Sequence, residues 1–594
     1  MTAEQRSQQW YGGNDRDAYI HRAWMRRGLP DRAFDGRPHI AIANTASDLV
    51  PCNMHLGEVA QAVKNGIWEA GGVPLEMPVM SLGETQVRPT AMLWRNLAAM
   101  SIEEMLRANP IDGVVLLGGC DKTIPALLMA AASVDLPALL VPGGPMLTGT
   151  YCGKAIGCGT ETWRMDAEVR AGKLDAEVFQ ASDKAMIRSK GHCNTMGTAS
   201  TMALIAEGLG ASMPGIAGIP APDARLLEMA QDSGRLIIDM VAARRRPSHI
   251  FTREAFQNAI VTLATIGGST NGVVHLLAIA GRLGIDLTLD DFDEIGSGVP
   301  LLVNLEPAGK YLMDDLFRAG GLRAALREVR DLLSDKAITV TGHPLVTYLG
   351  GESSRGAGLE TSEVGRPPEA ATAGQIWDSD VIRPRSQPLQ ESAGIAVLRG
   401  NLAPDGAIIK PAAASADLLQ HRGPAVVFDS IEDFHDRIDD PNLPVTADSV
   451  LILRGCGPRG YPGMPEVGNM RVPAKLLAAG VRDMVRISDA RMSGTAFGTV
   501  VLHAAPEAAA GGPLSKVRDG DMVVLDVPQR KLTLEVPDAE LLAREPAAAA
   551  LAAYARPRRG WEELYVRTVL QADTGADLDF LRGSSGDEVA RESH

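Results

Sequence analysis

A thiol, a carboxylate and an amine follow one another at Cys120, Asp121 and Lys122, within the short stretch of residues 118–125. An apolar, strand-like run precedes this stretch and a run of good helix formers follows it. Side chains at such a strand-to-helix turn lie at the rim where open α/β sheets bind ligands. Taken alone, the stretch is equally typical of an ordinary turn with a buried cysteine and a solvated ion pair.

Two further cysteines have similarly small or polar neighbours, Cys52 in Pro51-Cys52-Asn53 and Cys193 in residues 191–198. No two cysteines are separated by two residues, so the spacing does not indicate a zinc ribbon or a ferredoxin-type cluster. Six cysteines in 594 residues do not form a disulfide framework, and free, catalytic or metal-binding thiols are the alternatives. The residues by themselves leave inert thiols and a metal site both open.

Composition limits the class of protein. With 45% hydrophobic and 22% charged residues, the chain can bury sizeable cores in two or three domains. A net charge of −15 argues against nucleic acid or an anionic membrane as a partner, because both select a basic face. The first ten residues lack the apolar core of a secretory signal, and the most apolar stretch is interrupted by Asp135, Pro137 and Pro142. We therefore expect a cytoplasmic protein that contacts no membrane.

The N-terminal part alternates between strand-like and helical patterns, which predicts βαβ units and a mainly parallel sheet. Strands are predicted at residues 39–43, 73–77, 113–117 and 138–141. Helices are predicted at residues 54–70, 89–108, 126–132, 198–209, 225–246 and 253–264. We assign residues 1–375 to an N-terminal α/β domain.

A change in amino-acid composition marks the boundary of a second domain. Residues 350–375 are rich in Gly, Ser, Glu and Pro, and we place a linker at about residues 350–385. Beyond it, strands predominate. Pro528-Gln529-Arg530 lies between two of these strands and predicts a hairpin turn. Residues 386–594 are predicted to form a β-rich, β-barrel-like α+β domain.

Six ordered motifs resemble the dihydroxyacid and sugar-acid dehydratase family, the IlvD/Edd family. They are Pro51-Cys52-Asn53, Gly119-Cys120-Asp121-Lys122-Thr123, residues 191–200, Gly267-Gly268-Ser269-Thr270-Asn271, residues 462–466 and residues 488–495. The likeness covers nearly the whole chain and is strongest to the pentonate branch, whose starting and ending segments the chain shares. It implies the α/β and β-rich architecture described above and a dimer or tetramer.

The resemblance implies that Cys52, Cys120 and Cys193 hold an iron–sulfur cluster. Three ligands leave a coordination position open on one iron, which can act as a Lewis acid on a leaving hydroxyl. The pentonate branch is associated with a [2Fe-2S] cluster, although three cysteines would also suit a [4Fe-4S] cluster. The remaining cysteines match no ligand position and are interpreted as ordinary packing residues: Cys152, Cys158 and Cys456.

A magnesium site is implied as well, with Glu84, Asp121 and Glu466 as ligands. Hard oxygen donors suit Mg²⁺. Lys122 is implied as a fourth ligand after carbamylation, because a free ammonium has no lone pair to offer. On residue type alone, these side chains are more typical of solvated carboxylates and an ion pair than of a metal site.

Ser493 is implied as the general base, and Lys122 belongs with it to the catalytic set. A serine needs a nearby cation to stabilise its alkoxide, and the two metal groups would supply one. Thr195, Ser269 and Thr270 are candidates for hydrogen bonds to substrate, with helix caps as the equal alternative.

Arg88 and Lys410 are further candidates, which could offset the negative charge of a small anionic substrate.

The resemblance implies a hydro-lyase that converts 2,3-dihydroxy carboxylates, such as L-arabinonate and other pentonates, to 2-keto-3-deoxy acids. A dihydroxy-acid dehydratase of branched-chain amino-acid biosynthesis, or an enzyme acting on both classes, is the alternative. Gly83-Glu84-Thr85 departs from the Glu-Asn pairing common in sugar-acid relatives, which leaves the substrate open. A non-catalytic iron–sulfur sensor or carrier is disfavoured, because it needs neither a Mg²⁺ site nor a base.

Overall fold

The fold is described from a computed structural model, which covers residues 5–350, 374–552, 559–585 and 589. Residues 351–373, most of the predicted linker, lie outside the described residues. Among the residues described, no helix has the length and apolar character needed to cross a membrane.

The N-terminal part is built on a four-stranded parallel sheet, as predicted. Its strands are β1 (His39–Asn44), β2 (Val73–Pro78), β3 (Gly113–Gly118) and β4 (Ala138–Pro142). Their order across the sheet is β2-β1-β3-β4, with every neighbouring pair parallel. Strands β1, β3 and β4 are buried along their whole length, which explains their continuous apolar character. A small antiparallel ribbon follows, formed by β5 (Gly149–Tyr151) and β6 (Lys154–Ile156).

Helices cover this sheet and continue beyond it. In the N-terminal part they are α1 (Arg6–Tyr11), α2 (Arg16–Met25), α3 (Leu56–Glu69), α4 (Ala91–Ala108), α5 (Thr123–Val134), α6 (Thr160–Arg170), α7 (Ala176–Ala181), α8 (Asp183–Met186), α9 (Thr198–Gly208), α10 (Ala224–Ala242), α11 (Pro247–Ile250), α12 (Arg253–Thr265), α13 (Asn271–Arg282), α14 (Leu289–Gly296), α15 (Met313–Arg318) and α16 (Gly321–Glu328). In the C-terminal part they are α17 (Ile431–Arg437), α18 (Ala474–Ala478), α19 (Asp538–Ala543), α20 (Ala548–Ala552) and α21 (Gly560–Thr568). The predicted helices of the first part all exist, with ends shifted by a few residues.

The C-terminal part is organised around a closed barrel. Its strands are β7 (Ala396–Gly400), β8 (Ala403–Ile409), β9 (Gln420–Phe428), β10 (Val450–Leu453), β11 (Arg486–Ser488), β12 (Val500–Ala505), β13 (Met522–Asp526) and β14 (Lys531–Leu534). They close in the order β10-β11-β12-β8-β7-β14-β13-β9. The predicted hairpin is present as the antiparallel pair β13–β14. The β-rich, barrel-like prediction is confirmed.

Sequence patterns missed strand β8, because it contains Pro404-Asp405-Gly406, a typical turn sequence. The pairing of β8 with β7 shifts register across this segment. Such a bulge accommodates residues that a regular strand excludes.

One hydrophobic core joins the two parts. The core around the parallel sheet also includes barrel residues such as Ile408, Met492 and Leu502. A separate core fills the barrel interior. Loops from the sheet and loops from the barrel are therefore held against each other.

Candidate active site

The loops that follow strands β1, β2 and β3 carry Cys52, Glu84 and Cys120 respectively. Because the carboxyl ends of parallel strands meet at one edge of a sheet, these three distant segments converge there. Residues 118–125, which include Cys120, lie at this edge, and helix α5 begins within them at Thr123. The ligand-binding rim inferred from sequence is therefore present.

A cavity of about 420 Å³ opens at this edge, between the sheet domain and the barrel. It is lined by predicted site residues from both parts of the chain. These are Cys52, Glu84, Cys120, Asp121, Cys193, Glu466 and Ser493. Lys122 lies behind the lining, fully buried and bonded to the carboxylates.

Gly119 is needed for a close approach of two chain segments. A Cβ at this position would lie 2.9 Å from the Cys52 carbonyl oxygen and 3.0 Å from Asn53 Oδ1. The Gly119 N–H instead donates to Asn53 Oδ1 at 2.9 Å. The Asn53 amide also donates to Ser81 Oγ at 2.9 Å and Thr123 Oγ1 at 3.4 Å. This buried asparagine thus ties together the three loops that carry Cys52, Glu84 and Cys120.

Three carboxylates meet beside the thiols. Glu84, Asp121 and Glu466 each offer an oxygen within 4.8 Å of the others. Lys122 Nζ lies among them, 3.1 Å from Glu84 Oε2, 2.8 Å from Asp121 Oδ2 and 3.3 Å from Glu466 Oε1. The predicted ligand set is therefore assembled from two loops of the sheet domain and one of the barrel domain.

Arg491 is a second buried cation in this group, and sequence reasoning assigned it no role. Its guanidinium donates to Glu466 Oε1 at 2.8 Å and to Thr90 Oγ1 at 3.2 Å. Thr90 in turn donates to Glu84 Oε1 at 2.7 Å. Arg491 thereby orients two of the three carboxylates, one directly and one through Thr90.

The charges in this group perturb one another strongly. Burial raises the pKa of Glu84, but attraction to Lys122 and Arg491 outweighs burial and holds that pKa at about 2. Burial, with repulsion from Glu84, raises the pKa of Glu466 to about 7. Burial lowers the pKa of Lys122, yet the three carboxylates outweigh burial and raise it above its usual value.

Asn271 is another residue that sequence reasoning left without a role. Its side-chain amide donates to Glu466 Oε1 at 2.8 Å, to Thr198 Oγ1 at 2.9 Å and to the Met492 carbonyl at 3.1 Å. It begins helix α13 at the end of the Gly267–Asn271 motif, which was the available signal. Asn271 links Glu466 to the loop that presents Ser493.

Cys52 and Cys120 lie side by side at the cavity. Interaction with Cys120 lowers the pKa of Cys52, whereas interaction with Cys52 and burial raise the pKa of Cys120 well above its usual value. Cys52 therefore loses its proton more readily than Cys120, and the thiolate is the form that binds metals.

Cys193 is paired with Cys158 in a disulfide. The interpretation of Cys158 as an ordinary packing residue is therefore wrong, since it lies in the cavity beside a predicted cluster ligand. The physical reason is the fold of residues 143–194, which returns both cysteines to the same sheet edge. Cys456 is buried, as expected of packing, but Cys152 is exposed.

Ser493 faces the cavity from the loop after strand β11. Its Oγ lies 2.9 Å from Thr495 Oγ1. Gly494 lets this loop approach the start of α9, because a Cβ there would lie 2.6 Å from the Thr198 backbone nitrogen. The loop therefore lies beside the amino end of a helix, which favours negative charge.

The residues predicted to contact substrate lie behind the cavity wall. Thr195 Oγ1 is 3.5 Å from Cys193 Sγ, and Ser269 Oγ is 3.0 Å from Thr198 Oγ1. Thr270 is fully buried. Gly197, Thr198 and Ala199 of this region line the cavity, whereas the role predicted for Thr195, Ser269 and Thr270 stays a prediction.

The two predicted charge-offsetting residues also lie elsewhere. Arg88 is bonded to the carbonyls of Thr85 and Val87, and buried Lys410 donates to the Gly267 carbonyl. Neither is among the described residues that line the cavity.

The donors present fit the two metal groups that the sequence resemblance implies. Within the group of Glu84, Asp121, Glu466, Lys122 and Arg491, three carboxylates face two cations, so a negative charge remains for a hard divalent cation. The sulfurs of Cys52, Cys120 and, once its disulfide to Cys158 is reduced, Cys193 share one cavity, and soft thiolates are the usual donors to iron–sulfur clusters.

Thiols, carboxylates and a presented serine in one cavity define the site of an enzyme, since electron transfer alone requires neither the carboxylates nor the serine. Comparison with known proteins agrees. The family model "Dihydroxy-acid/6-phosphogluconate dehydratase N-terminal" matches residues 37–348, and its C-terminal counterpart matches residues 380–576.

Full-length relatives are similarly named. The chain is 52% identical to the L-arabinonate dehydratase of Rhizobium leguminosarum bv. trifolii (strain WSM2304), over 99% of this chain and 98% of that protein. It is 51% identical to the L-arabonate dehydratase of Azospirillum brasilense, over 99% of each chain. It is 46% identical to the 6-deoxy-6-sulfo-D-gluconate dehydratase of Pseudomonas putida, over 98% of this chain and 96% of that protein. The chain belongs to the dihydroxy-acid/6-phosphogluconate dehydratase family and is a hydro-lyase.

Proposed function

We propose that the protein dehydrates 2,3-dihydroxy carboxylates of the aldonic acid class, L-arabinonate and other pentonates above all, to 2-keto-3-deoxy acids. The observation that carries this proposal is the position of Ser493, in one cavity with the thiols and carboxylates. The names of two relatives that are 51% and 52% identical over nearly their whole length support the pentonate substrate.

The proposed cofactors are a Mg²⁺ ion and an iron–sulfur cluster, [2Fe-2S] or alternatively [4Fe-4S]. Mg²⁺ would be held by Glu84, Asp121, Glu466 and carbamylated Lys122, and the cluster by Cys52, Cys120 and Cys193. When bound, these groups supply Lewis acidity toward the substrate oxygens.

Ser493 is the proposed general base. As an alkoxide, its Oγ takes the proton from C2 of the substrate while the hydroxyl at C3 departs, and it then passes that proton to the departing hydroxide, which leaves as water. The resulting enol tautomerises to the keto acid. Thr495 orients the serine oxygen through their 2.9 Å contact, and the nearby amino end of α9 favours its charged form.

A dihydroxy-acid dehydratase of branched-chain biosynthesis would use the same catalytic residues. The family model includes dihydroxy-acid dehydratases by name, so this substrate class is the second candidate. Both candidates share the reaction and differ in the groups beyond C3.

Formation of keto acid from a panel of substrates tests the proposal. Reconstituted protein with Mg²⁺ is supplied with L-arabinonate, other pentonates, hexonates, D-glycerate and 2,3-dihydroxyisovalerate. We expect L-arabinonate or another pentonate to give the highest kcat/KM. Highest kcat/KM on 2,3-dihydroxyisovalerate would instead establish the second candidate.

The variant Ser493→Ala tests the base. General-base catalysis contributes about 10²–10⁴-fold, and kcat should fall by that factor while iron content and Tm remain at wild-type values. Ser297→Ala, at the exposed end of α14, is the matched control and should retain full activity. Turnover by Ser493→Ala at the wild-type rate would remove this serine as the base.

A further inference from the structure

Cys158 is the one cysteine lining the cavity that the proposed reaction does not use. Cys158 lies between the ribbon strand β6 and helix α6, and it lines the cavity together with Cys52, Cys120 and Cys193. The relation between Cys158 and Cys193 is therefore a property of the site itself.

Hydrogen bonds through Asn194, in addition to the sulfur–sulfur bond, hold these two cysteines together. The Cys158 N–H donates to Asn194 Oδ1 at 3.0 Å, and the Asn194 N–H donates to Cys158 Sγ at 3.2 Å. The Asn194 amide is anchored in turn to the Leu147 carbonyl at 3.3 Å. The Cα atoms of the two cysteines are 6.0 Å apart, a separation at which disulfides normally form.

The other two predicted cluster ligands are free thiols. Cys193 is thus the one proposed cluster ligand that is bonded to another sulfur in this structure. A sulfur in a disulfide carries no thiolate charge and cannot bind iron. Pairing with Cys158 therefore removes one of three ligands and leaves the other two in place.

We infer that Cys158 is a redox latch: in the cluster-free protein it forms a reversible disulfide with Cys193 and so blocks cluster loading until it is reduced. This inference rests on the proposed function for the cluster. The oxidant is a low-molecular-weight disulfide such as oxidised glutathione. One cysteine thiolate attacks it and releases one glutathione thiol, and the second cysteine attacks the mixed disulfide and releases the other. The two cysteines lose two electrons and two protons, and excess dithiol reverses the reaction.

Peptide mapping tests the pairing without any cluster. Cluster-free protein is exposed to oxidised glutathione, its remaining thiols are alkylated, and its peptides are identified by mass spectrometry. We expect a linked pair of peptides containing Cys158 and Cys193 in wild type and in Cys152→Ser, the matched control with an exposed cysteine. A wild-type protein in which both thiols are alkylated, or in which Cys52 is linked to Cys120 instead, overturns the inference.

Cluster loading tests the consequence. Oxidised protein receives ferrous iron and sulfide anaerobically, with or without dithiothreitol, and visible absorbance and bound iron are measured. We expect wild type to load at least tenfold faster with dithiothreitol, and Cys158→Ser to load equally fast in both conditions. Equal loading of oxidised and reduced wild type overturns the latch.

Two outcomes separate the latch from the function it rests on. Failure of Cys158→Ser to load under reducing conditions, where wild type loads, would make Cys158 a cluster ligand and overturn the inference. Reduced wild type and Cys158→Ser that both bind no iron would overturn the proposed cluster, while the mapped disulfide would still establish the reversible pair.

Discussion

Replacing Asn53 by alanine should separate the site's thiols without unfolding the protein. Asn53 is fully buried and is the side chain that joins the loops after β1, β2 and β3. Alanine removes the acceptor for the Gly119 N–H and both donors toward Ser81 and Thr123. Because Cys52 and Cys120 directly neighbour Asn53 and Gly119, their contact depends on this link.

The size of the effect follows from these bonds. A buried N–H left without a partner costs about 1–3 kcal/mol, and each lost hydrogen bond contributes about 0.5–1.5 kcal/mol. With one unpaired N–H and two lost hydrogen bonds the total is about 2–6 kcal/mol, of which about 1.4 kcal/mol suffices for a tenfold change in a conformational equilibrium. We therefore expect the population with Cys52 beside Cys120 to fall at least tenfold.

Dibromobimane measures this population, because it becomes fluorescent when its two ends react with neighbouring thiols. The rate of linkage between Cys52 and Cys120, confirmed by peptide mapping, should fall at least tenfold in Asn53→Ala. Iron bound after reconstitution should fall with it. The assay of linkage requires no cluster, so it reports on thiol geometry alone.

Asn258→Ala is the matched control. Asn258 is equally buried and exchanges two hydrogen bonds with Ser334, at 2.7 and 3.2 Å, away from the cavity. Both variants should lower Tm, and only Asn53→Ala should slow thiol linkage. Equal linkage rates in the two variants would refute the positioning role of Asn53.

Two further predictions concern stability. Asp577→Ala removes one of the two carboxylates that accept from the fully buried Arg282 guanidinium, at 2.6 and 3.0 Å, and leaves Glu103 paired with it at 3.0 Å. Because a hydrogen bond to a charged group contributes about 1.5–3 kcal/mol, chemical unfolding should show a loss of about that size. Asp579→Ala, exposed in the same segment, should change little, and equal losses would contradict the prediction. Burial and the charge of Asp489 raise the pKa of Glu507 from 4.5 to about 7. The stability that Glu507 contributes is therefore complete below pH 4.5 and is lost as the pH rises through about 7. Glu507→Gln should therefore raise Tm relative to wild type more at about pH 8 than at about pH 5, and a pH-independent difference would refute the assignment.

Much of the parallel sheet could be predicted from the sequence. Strands β1, β3 and β4 are buried on both faces, so each is a continuous apolar run with a clear boundary. Barrel strand β8 was missed because its bulge admits Pro404 and Gly406. Local pattern detects regular strands and fails where a tertiary contact permits an irregular one.

The predicted thiols, carboxylates and serine lie in one cavity, and their spacing along the chain could not have shown this. The sequence resemblance gave their identities, since each lies in a short motif with small neighbours. Arg491 and Asn271 received no role because their contribution is to orient Glu466. Along the chain, Arg491 is 25 residues and Asn271 is 195 residues from Glu466. No local pattern encodes such a contact.

Residue type and local order were enough to identify the family, the buried strands and the set of reactive side chains. Which of those side chains share a cavity, and which charges compensate one another, became clear only from the fold. The fold also decided that Cys158 faces Cys193, whereas its local sequence predicted a packing residue. The physical reason is that proximity at a sheet edge depends on strand order and loop path, which bring together residues far apart in the chain.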